Sequence, residues 1–424
     1  KPLSNLDRGS FKICLVNYNS QLMSSLKVTK KISISFLVIL GCSISAYLHY
    51  QFILREFNFL NSWYWFGADF PYIISNMENL IITTSSIKHP MFSSILSGPT
   101  YLFNLIFDST ITSAIVLRIL FTAVQIILLF KIFINLKVGQ ANALLLILMF
   151  FSSSAFIFWA GAFETFAFGS VAITFVLYLC SKQEKNISLW VIASIFSFGF
   201  TITNIVIALV GAFFIFPNEK IKKLLLFLSF LILSFATFSL ILYFLNTGSF
   251  PIRLIVNIYE VLANELMFIN TSFSSTFYRM LSFFLNTGVI TSIGVIELPW
   301  GEIVLGPVGF NYSLIGFTGL LLWIYFLVVG SWYSFVNIKN GCITTKVAII
   351  FLIFQLIIHT IYGDFPFLYS SHFIPVFMVL VSSVFNNSPS KLNSLCALTF
   401  CILAAVSNYF IFIDSISYNP SSFS

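Results

Sequence analysis

Apolar runs close to twenty residues long recur along the chain, separated by short polar stretches. A helix needs about 20 apolar residues to cross the hydrocarbon core of a bilayer. On that ruler the pattern predicts membrane-spanning helices near 32–54, 110–135, 141–160, 166–181, 187–201, 203–217, 222–245, 314–336, 345–361, 372–386 and 392–413, about eleven in all. The run from 187 to 217 is too long for one helix, and the polar break Thr201-Ile202-Thr203-Asn204 predicts a tight hairpin there. The stretch 90–107 is apolar but carries Pro90 and Pro99, which predicts a juxtamembrane or re-entrant helix. The apolar runs are continuous rather than alternating, which argues against a β-barrel. The fold class that follows is an all-α integral membrane protein with about 11 transmembrane helices.

Two connecting segments are long, 55–109 and 246–313. Both are too aliphatic and aromatic for disorder, so amphipathic helices lying on the membrane surface are expected in them. The second carries polar patches at Asn246-Thr247-Gly248 and Asn286-Thr287-Gly288. The chain thus divides into a polar, basic tail (1–31), a first transmembrane module (32–217) containing 55–109, and a second (218–424) containing 246–313. Met23 would serve as an alternative start, so residues 1–22 are given no functional weight.

Composition narrows the class. The chain is 58% hydrophobic and only 8% charged, against roughly 25% charge in soluble domains. Six cysteines without a CxxC pair exclude a zinc ribbon or a disulfide framework. The net charge of +7 is a matter of orientation rather than of nucleic-acid binding. With the N-terminus in the cytoplasm, 16 of the 21 Lys/Arg fall on the inner side. Among the acids only Asp7, Glu184 and Glu219 do so. Lys/Arg bias is the orienting signal, and an odd number of spans then sets the C-terminus outside.

All four histidines (His49, His89, His359 and His372) map to outer ends of spans or outer loops, as do Asp69, Glu78, Glu164 and Asp364. Taken singly, each is as well read as an interfacial side chain in contact with water. Gathered on one face of so charge-poor a chain, they form a candidate site. The first loop reads Trp63-Tyr64-Trp65-Phe66-Gly67-Ala68-Asp69-Phe70-Pro71-Tyr72, followed by Lys88-His89-Pro90. Asp108-Ser109-Thr110 precedes Arg118, Gly161 to Phe166 surrounds Glu164, and Gly363 to Phe373 holds Asp364 and His372.

In order and sidedness these motifs resemble the GT-C superfamily of polytopic glycosyltransferases. The resemblance covers 32–217 and, more thinly, 345–386. It implies a polyprenyl-phosphate sugar as donor, inversion at the anomeric carbon, and a site on the outer face of a bacterial inner membrane. The acceptor would be a surface glycan such as an O-antigen, or another lipid-linked molecule. Two features depart from the pattern. Many members carry two adjacent acids in the first loop, and here Ala68 precedes Asp69. The basic-Pro-Pro element is here Lys88-His89-Pro90. A single acid gives a hard cation too few oxygen ligands, so no cofactor is expected and a divalent metal is not supported.

The chemistry of the residues runs the same way. Transfer to a hydroxyl needs a carboxylate to take its proton, and Asp69 is the choice, with Glu164 assisting. The leaving phosphate needs cationic partners, for which Lys88, His89, Arg118, Arg253, Arg279 and His372 are available, with Asp364 near them. Arg118 reads equally as an ion-pair partner of Asp108 or Asp69, and Lys88 as a snorkelling interfacial lysine. No P-loop or GxGxxG opens a helix on the inner side. Two other functions fit less of the chain. An O-antigen or capsule polymerase would use Arg253 and Arg279. A lipid-linked-sugar flippase would need midplane charges and internal symmetry, and neither is visible.

Overall fold

The computed structural model describes residues 34–55, 57, 64–78, 89, 91–162, 164–216, 224–233, 273–297, 303–362 and 366–418. The predicted sites Lys88, Arg253 and Asp364 lie outside them, as does the 1–31 tail.

The described residues form a bundle of helices with one two-stranded hairpin. Its first half holds α1 (Ile34–Leu54), α2 (Phe70–Glu78), α3 (Phe92–Phe107), α4 (Thr110–Asn135), α5 (Gln140–Ser152), α6 (Ser154–Trp159), α7 (Thr165–Lys182), α8 (Ile187–Phe200), a 3₁₀ turn (Ile202–Asn204) and α9 (Ile205–Ile215). The second half holds α10 (Leu224–Leu233), α11 (Phe273–Leu285), β1 (Ile293–Glu297), β2 (Ile303–Pro307), α12 (Leu314–Lys339), α13 (Ile343–Ile361), a 3₁₀ turn (Pro366–Tyr369), α14 (Ser370–Asn387) and α15 (Lys391–Ile416).

Among the described residues, seven helices are long and apolar enough to cross a membrane: α1, α4, α7, α12, α13, α14 with its preceding 3₁₀ turn, and α15. The protein is therefore a multi-pass, all-α membrane protein. The other four predicted spans correspond to shorter apolar helices, α5, α8, α9 and α10.

Burial sorts these helices into layers. α14 and α7 are the inner ones, 89% and 78% buried over their apolar windows, while α12 is only 33% buried. Every residue of α14 from Ser370 to Phe385 is buried, and α7 packs on α4, α8 and α14. Gly330 on α12 brings that helix so near α14 that a β-carbon would lie 2.8 Å from the Leu380 carbonyl oxygen. The outward faces of α12 and α15 carry exposed Leu314, Val328, Trp332, Leu392 and Phe410, apolar surface that suits lipid.

The 187–217 run divides where the polar break predicts. α8 ends at Phe200 and α9 begins at Ile205. A β-carbon at Gly211, late in α9, would touch the Trp190 ring, early in α8, so the two helices are antiparallel.

The span expected at 141–160 is broken. Ser153 takes an extended backbone between α5 and α6, which frees backbone groups that lipid cannot satisfy. The Asn286-Thr287-Gly288 patch supplies them. Ser154 N–H donates to the Gly288 carbonyl, Ala155 N–H to that of Thr287, and the Ser154 hydroxyl to that of Asn286. The Asn408 amide on α15 donates to the carbonyls of both Ser152 and Gly288.

The second long segment departs from the expectation of surface helices alone. α11 is there, but after it β1 and β2 pair antiparallel, with Val295 opposite Leu305. Leu305 N–H donates to the Tyr64 carbonyl, tying this hairpin to the first long segment. At the same end Arg55, just past α1, donates to the Ser417 hydroxyl just past α15 at 2.9 Å, so the first and last helices finish side by side.

Candidate functional site

The site is built on the loop between α6 and α7. Gly161 allows a close approach, since a β-carbon there would lie 2.7 Å from the His49 backbone nitrogen. The His49 ring donates through Nδ1 to the Gly161 carbonyl at 2.9 Å, and the Ser45 hydroxyl donates to Ala160 at 2.5 Å. From α4, Arg118 donates through Nε to the Trp159 carbonyl at 3.4 Å. Its Nη1 donates to Thr122 at 2.9 Å. Asp108 is not its partner: it is exposed and ends α3 in a left-handed conformation, φ 50°. Nor is Asp69: the bonds of the Arg118 guanidinium run to Trp159 and Thr122. Arg118 is thus a buried guanidinium held by a carbonyl and a hydroxyl. Burying an ion this way costs on the order of several kcal/mol, a cost that marks the position as more than packing.

The loop ends at Glu164, 1% exposed, in the N-cap position of α7. Oε1 accepts from the Thr165 backbone N–H and from the Thr165 hydroxyl, each at 2.8 Å. Oε2 accepts from the Asp69 backbone N–H at 3.2 Å. Burial pushes the Glu164 carboxyl well above the usual carboxylate range, and the neighbouring Asp69 pushes it further, against the pull of these donors.

Asp69 is delivered by an aromatic anchor. Phe66 and Gly67 both take positive φ, 54° and 70°. Such a backbone is ordinary for glycine and costly for phenylalanine, of order 1–3 kcal/mol. The cost is offset by packing. The Phe66 ring stands 5.6 Å from Phe158 and 5.1 Å from Phe367, centroid to centroid. Trp65 packs edge-on to Phe52 and Phe412. Trp65, Phe66 and Phe70 are fully buried, so these aromatics are core rather than an exposed sugar-stacking surface. Beside them Asp69 is only half-buried, and its carbonyl accepts the first helical bond of α2 from Ile73.

His89 reaches the loop from the other side. Its Nδ1 donates to the Phe200 carbonyl at the end of α8 at 2.6 Å, and its Nε2 lies 3.3 Å from the Thr165 hydroxyl. Phe166 stands between two histidines, 5.3 Å from the ring of His89 and 5.1 Å from that of His372. His372, on the first turn of α14, leads into a buried ladder. Its Nε2 meets the Asn204 amide at 3.3 Å, Gln355 donates to Asn204 at 3.4 Å, and His359 meets Gln355 at 3.0 Å. Gly169 makes room for this ladder, since a β-carbon there would lie 2.6 Å from His372 Nε2.

Of the predicted residues, Asp69, Glu164, His89, Arg118 and His372 therefore gather around one loop. Arg279 is placed on α11, 2% exposed, donating to the carbonyl and hydroxyl of Ser275 one turn earlier. Sequence reasoning grouped His359 with the other outer-side histidines but missed Thr165, Asn204 and Gln355 as members of the cluster. The signal for Gln355 was a lone amide four residues before His359 inside an apolar run, which puts both on one helix face.

Comparison with protein-family models, with curated proteins and with solved structures gave no match.

Proposed function

We propose that the protein is a membrane glycosyltransferase of GT-C type. It takes a sugar from a polyprenyl-phosphate carrier and passes it to a surface glycan or lipid-linked acceptor. Asp69 is the general base. As the acceptor oxygen bonds to the anomeric carbon, its proton passes to the Asp69 carboxylate and the carrier phosphate leaves. Arg118 and His89 are the described cationic candidates nearest the loop for the phosphate, with Lys88 and Arg253 as candidates by sequence. The site faces outward from a bacterial inner membrane, with the N-terminus in the cytoplasm.

The observation that carries this reading is the meeting of two carboxyl residues in unlike surroundings. Glu164 is buried and capped, while Asp69 is half-buried and bonded to it through its backbone. Two carboxyls in one site divide one proton between them. The buried one keeps it, and the wetter one is left ionised to act as base. The test is incubation of purified protein with a radiolabelled polyprenyl-phosphate sugar and a glycan acceptor. Labelled product together with bare carrier phosphate is expected. Binding without release of carrier phosphate would turn the reading toward a transporter.

A further inference from the structure

Proton counting at Glu164, Thr165 and His89 leads beyond the assignment of a base. The Phe200 carbonyl oxygen can only accept, so the proton at 2.6 Å sits on His89 Nδ1. The open role of the ring is then at Nε2. The Thr165 hydroxyl lies between two acceptors, Glu164 Oε1 at 2.8 Å and His89 Nε2 at 3.3 Å. Two hydrogen bonds need two protons, and the hydroxyl brings one. With Glu164 ionised and His89 neutral, one of the two contacts is acceptor against acceptor, inside a buried site where leaving a bond unmade is costly. One added proton completes both. It can sit on Glu164, so that donation runs Glu164 to Thr165 to His89. It can equally sit on His89 Nε2, so that donation runs the other way.

We propose that Glu164, Thr165 and His89 hold one shared proton as a unit, and that the charge on Asp69 sets where along the unit it sits. While Asp69 is ionised the proton is on Glu164. Once Asp69 has taken the acceptor's proton, the Glu164 proton passes to Thr165 Oγ and the Thr165 proton passes to His89 Nε2. That leaves a carboxylate and an imidazolium joined through one hydroxyl, with the net charge of the unit unchanged. An imidazolium then faces the site at the moment the carrier phosphate departs. Thr165 and His89 are positioning residues in this scheme.

Opposing forces of similar kind make the unit responsive. Burial and the negative charge of Asp69 favour the acid form of Glu164. Three donors to its oxygens and the positive end of α7 favour the carboxylate. Removing the Asp69 charge removes one side of that balance. Among the described residues, other titratable groups around the unit are His49 from α1 and Arg118 from α4, bonded to carbonyls of the same loop, and His372 from α14, whose ring packs on Phe166 and neighbours His359 of α13. The shared proton stands on geometry alone, while its coupling to turnover rests on Asp69 being the base.

Infrared spectroscopy of the full chain in lipid nanodiscs tests it without any substrate. At neutral pH the wild type should show a protonated-carboxyl stretch that is absent from Glu164→Gln. Asp69→Asn, which copies the charge of protonated Asp69, should lose most of that band and gain an imidazolium mode. In Asp69→Asn/Thr165→Val the imidazolium mode should not form, and Asp69→Asn/Thr165→Ser should restore it. If Thr165→Val does not reach the membrane, Asp69→Asn/His89→Asn replaces it and should retain the acid band. No Glu164 acid band in the wild type, or an unchanged band in Asp69→Asn, overturns the proposal. A protein that shows these shifts but transfers no sugar would keep the shared proton and lose the glycosyltransferase reading.

Discussion

Asp69 and Glu164, 95 positions apart in sequence, meet through a hydrogen bond from the backbone N–H of the first to Oε2 of the second, at 3.2 Å. This bond fastens the first long segment to the start of α7. It also brings two acidic residues together in different media, one half-buried and one sealed. Unequal surroundings are how a pair of like acids is given unlike roles.

The sealed acid leaves a signature in stability. The folded state holds a proton on Glu164 that the unfolded chain releases above about pH 4.3. Between that point and the raised folded value, unfolding releases a proton, so stability falls as the pH rises. Below the window the contribution is fully present, and above it the contribution is gone. Thermal unfolding of wild type and Glu164→Gln across this range should give curves that lie together at the acid end and separate as the pH rises, with the wild type losing stability. Parallel curves would mean that Glu164 is ionised in the fold.

The ladder from His372 to His359 depends on a missing side chain. Gly169→Ala puts a methyl group 2.6 Å from His372 Nε2 and 3.1 Å from Asn204 Nδ2. Overpacking of this kind costs about 1–3 kcal/mol. Gly319 on α12 has only ordinary contacts, at 3.5 Å or more, around its missing β-carbon, and alanine there should stabilise by about 0.5–1 kcal/mol through helix propensity. Unfolding of both variants in one detergent checks this. Equal effects would mean that Gly169 does not set the spacing.

Much of the fold is written in hydrophobic period, and what period cannot carry is what the sequence hides. The break at Thr201–Asn204 is legible because polar residues interrupt an apolar run. The break at Ser153 is not, because Ser152, Ser153 and Ser154 sit in a run that stays apolar on both sides. Their partners, Asn286 to Gly288 and Asn408, are more than a hundred residues away. The β1–β2 hairpin is likewise masked, since short β-branched runs such as Ile293–Glu297 read as interfacial apolar surface in a chain this hydrophobic. At the site, sidedness alone grouped Asp69, His89, Arg118, Glu164 and His372. Thr165 was invisible because a threonine opening a helix is ordinary until its hydroxyl is seen between two acceptors.

Orientation is open to direct test. Ser75 is an exposed residue of α2. In a cysteine-free background, Ser75→Cys in intact spheroplasts should react with an impermeant maleimide before lysis. Reaction only after lysis would reverse the topology and remove the carrier-lipid mechanism.

The two acids should separate in kinetics. Glu164→Gln keeps the shape of a protonated glutamic acid, so its transfer rate should stay within about tenfold of wild type. Losing a general base costs about 10²–10⁴-fold. A larger loss in Glu164→Gln than in Asp69→Asn, measured under saturating donor, would exchange their roles.

The central claim is tested most directly by the transfer rate of purified Asp69→Asn with a polyprenyl-phosphate sugar as donor. Asparagine matches aspartate in size and keeps the backbone N–H that bonds to Glu164, so the fold and donor binding should be intact. The account predicts at least a ~100-fold loss of transfer with donor affinity no weaker than that of the wild type. A variant that still transfers sugar within a few-fold of wild type would contradict it.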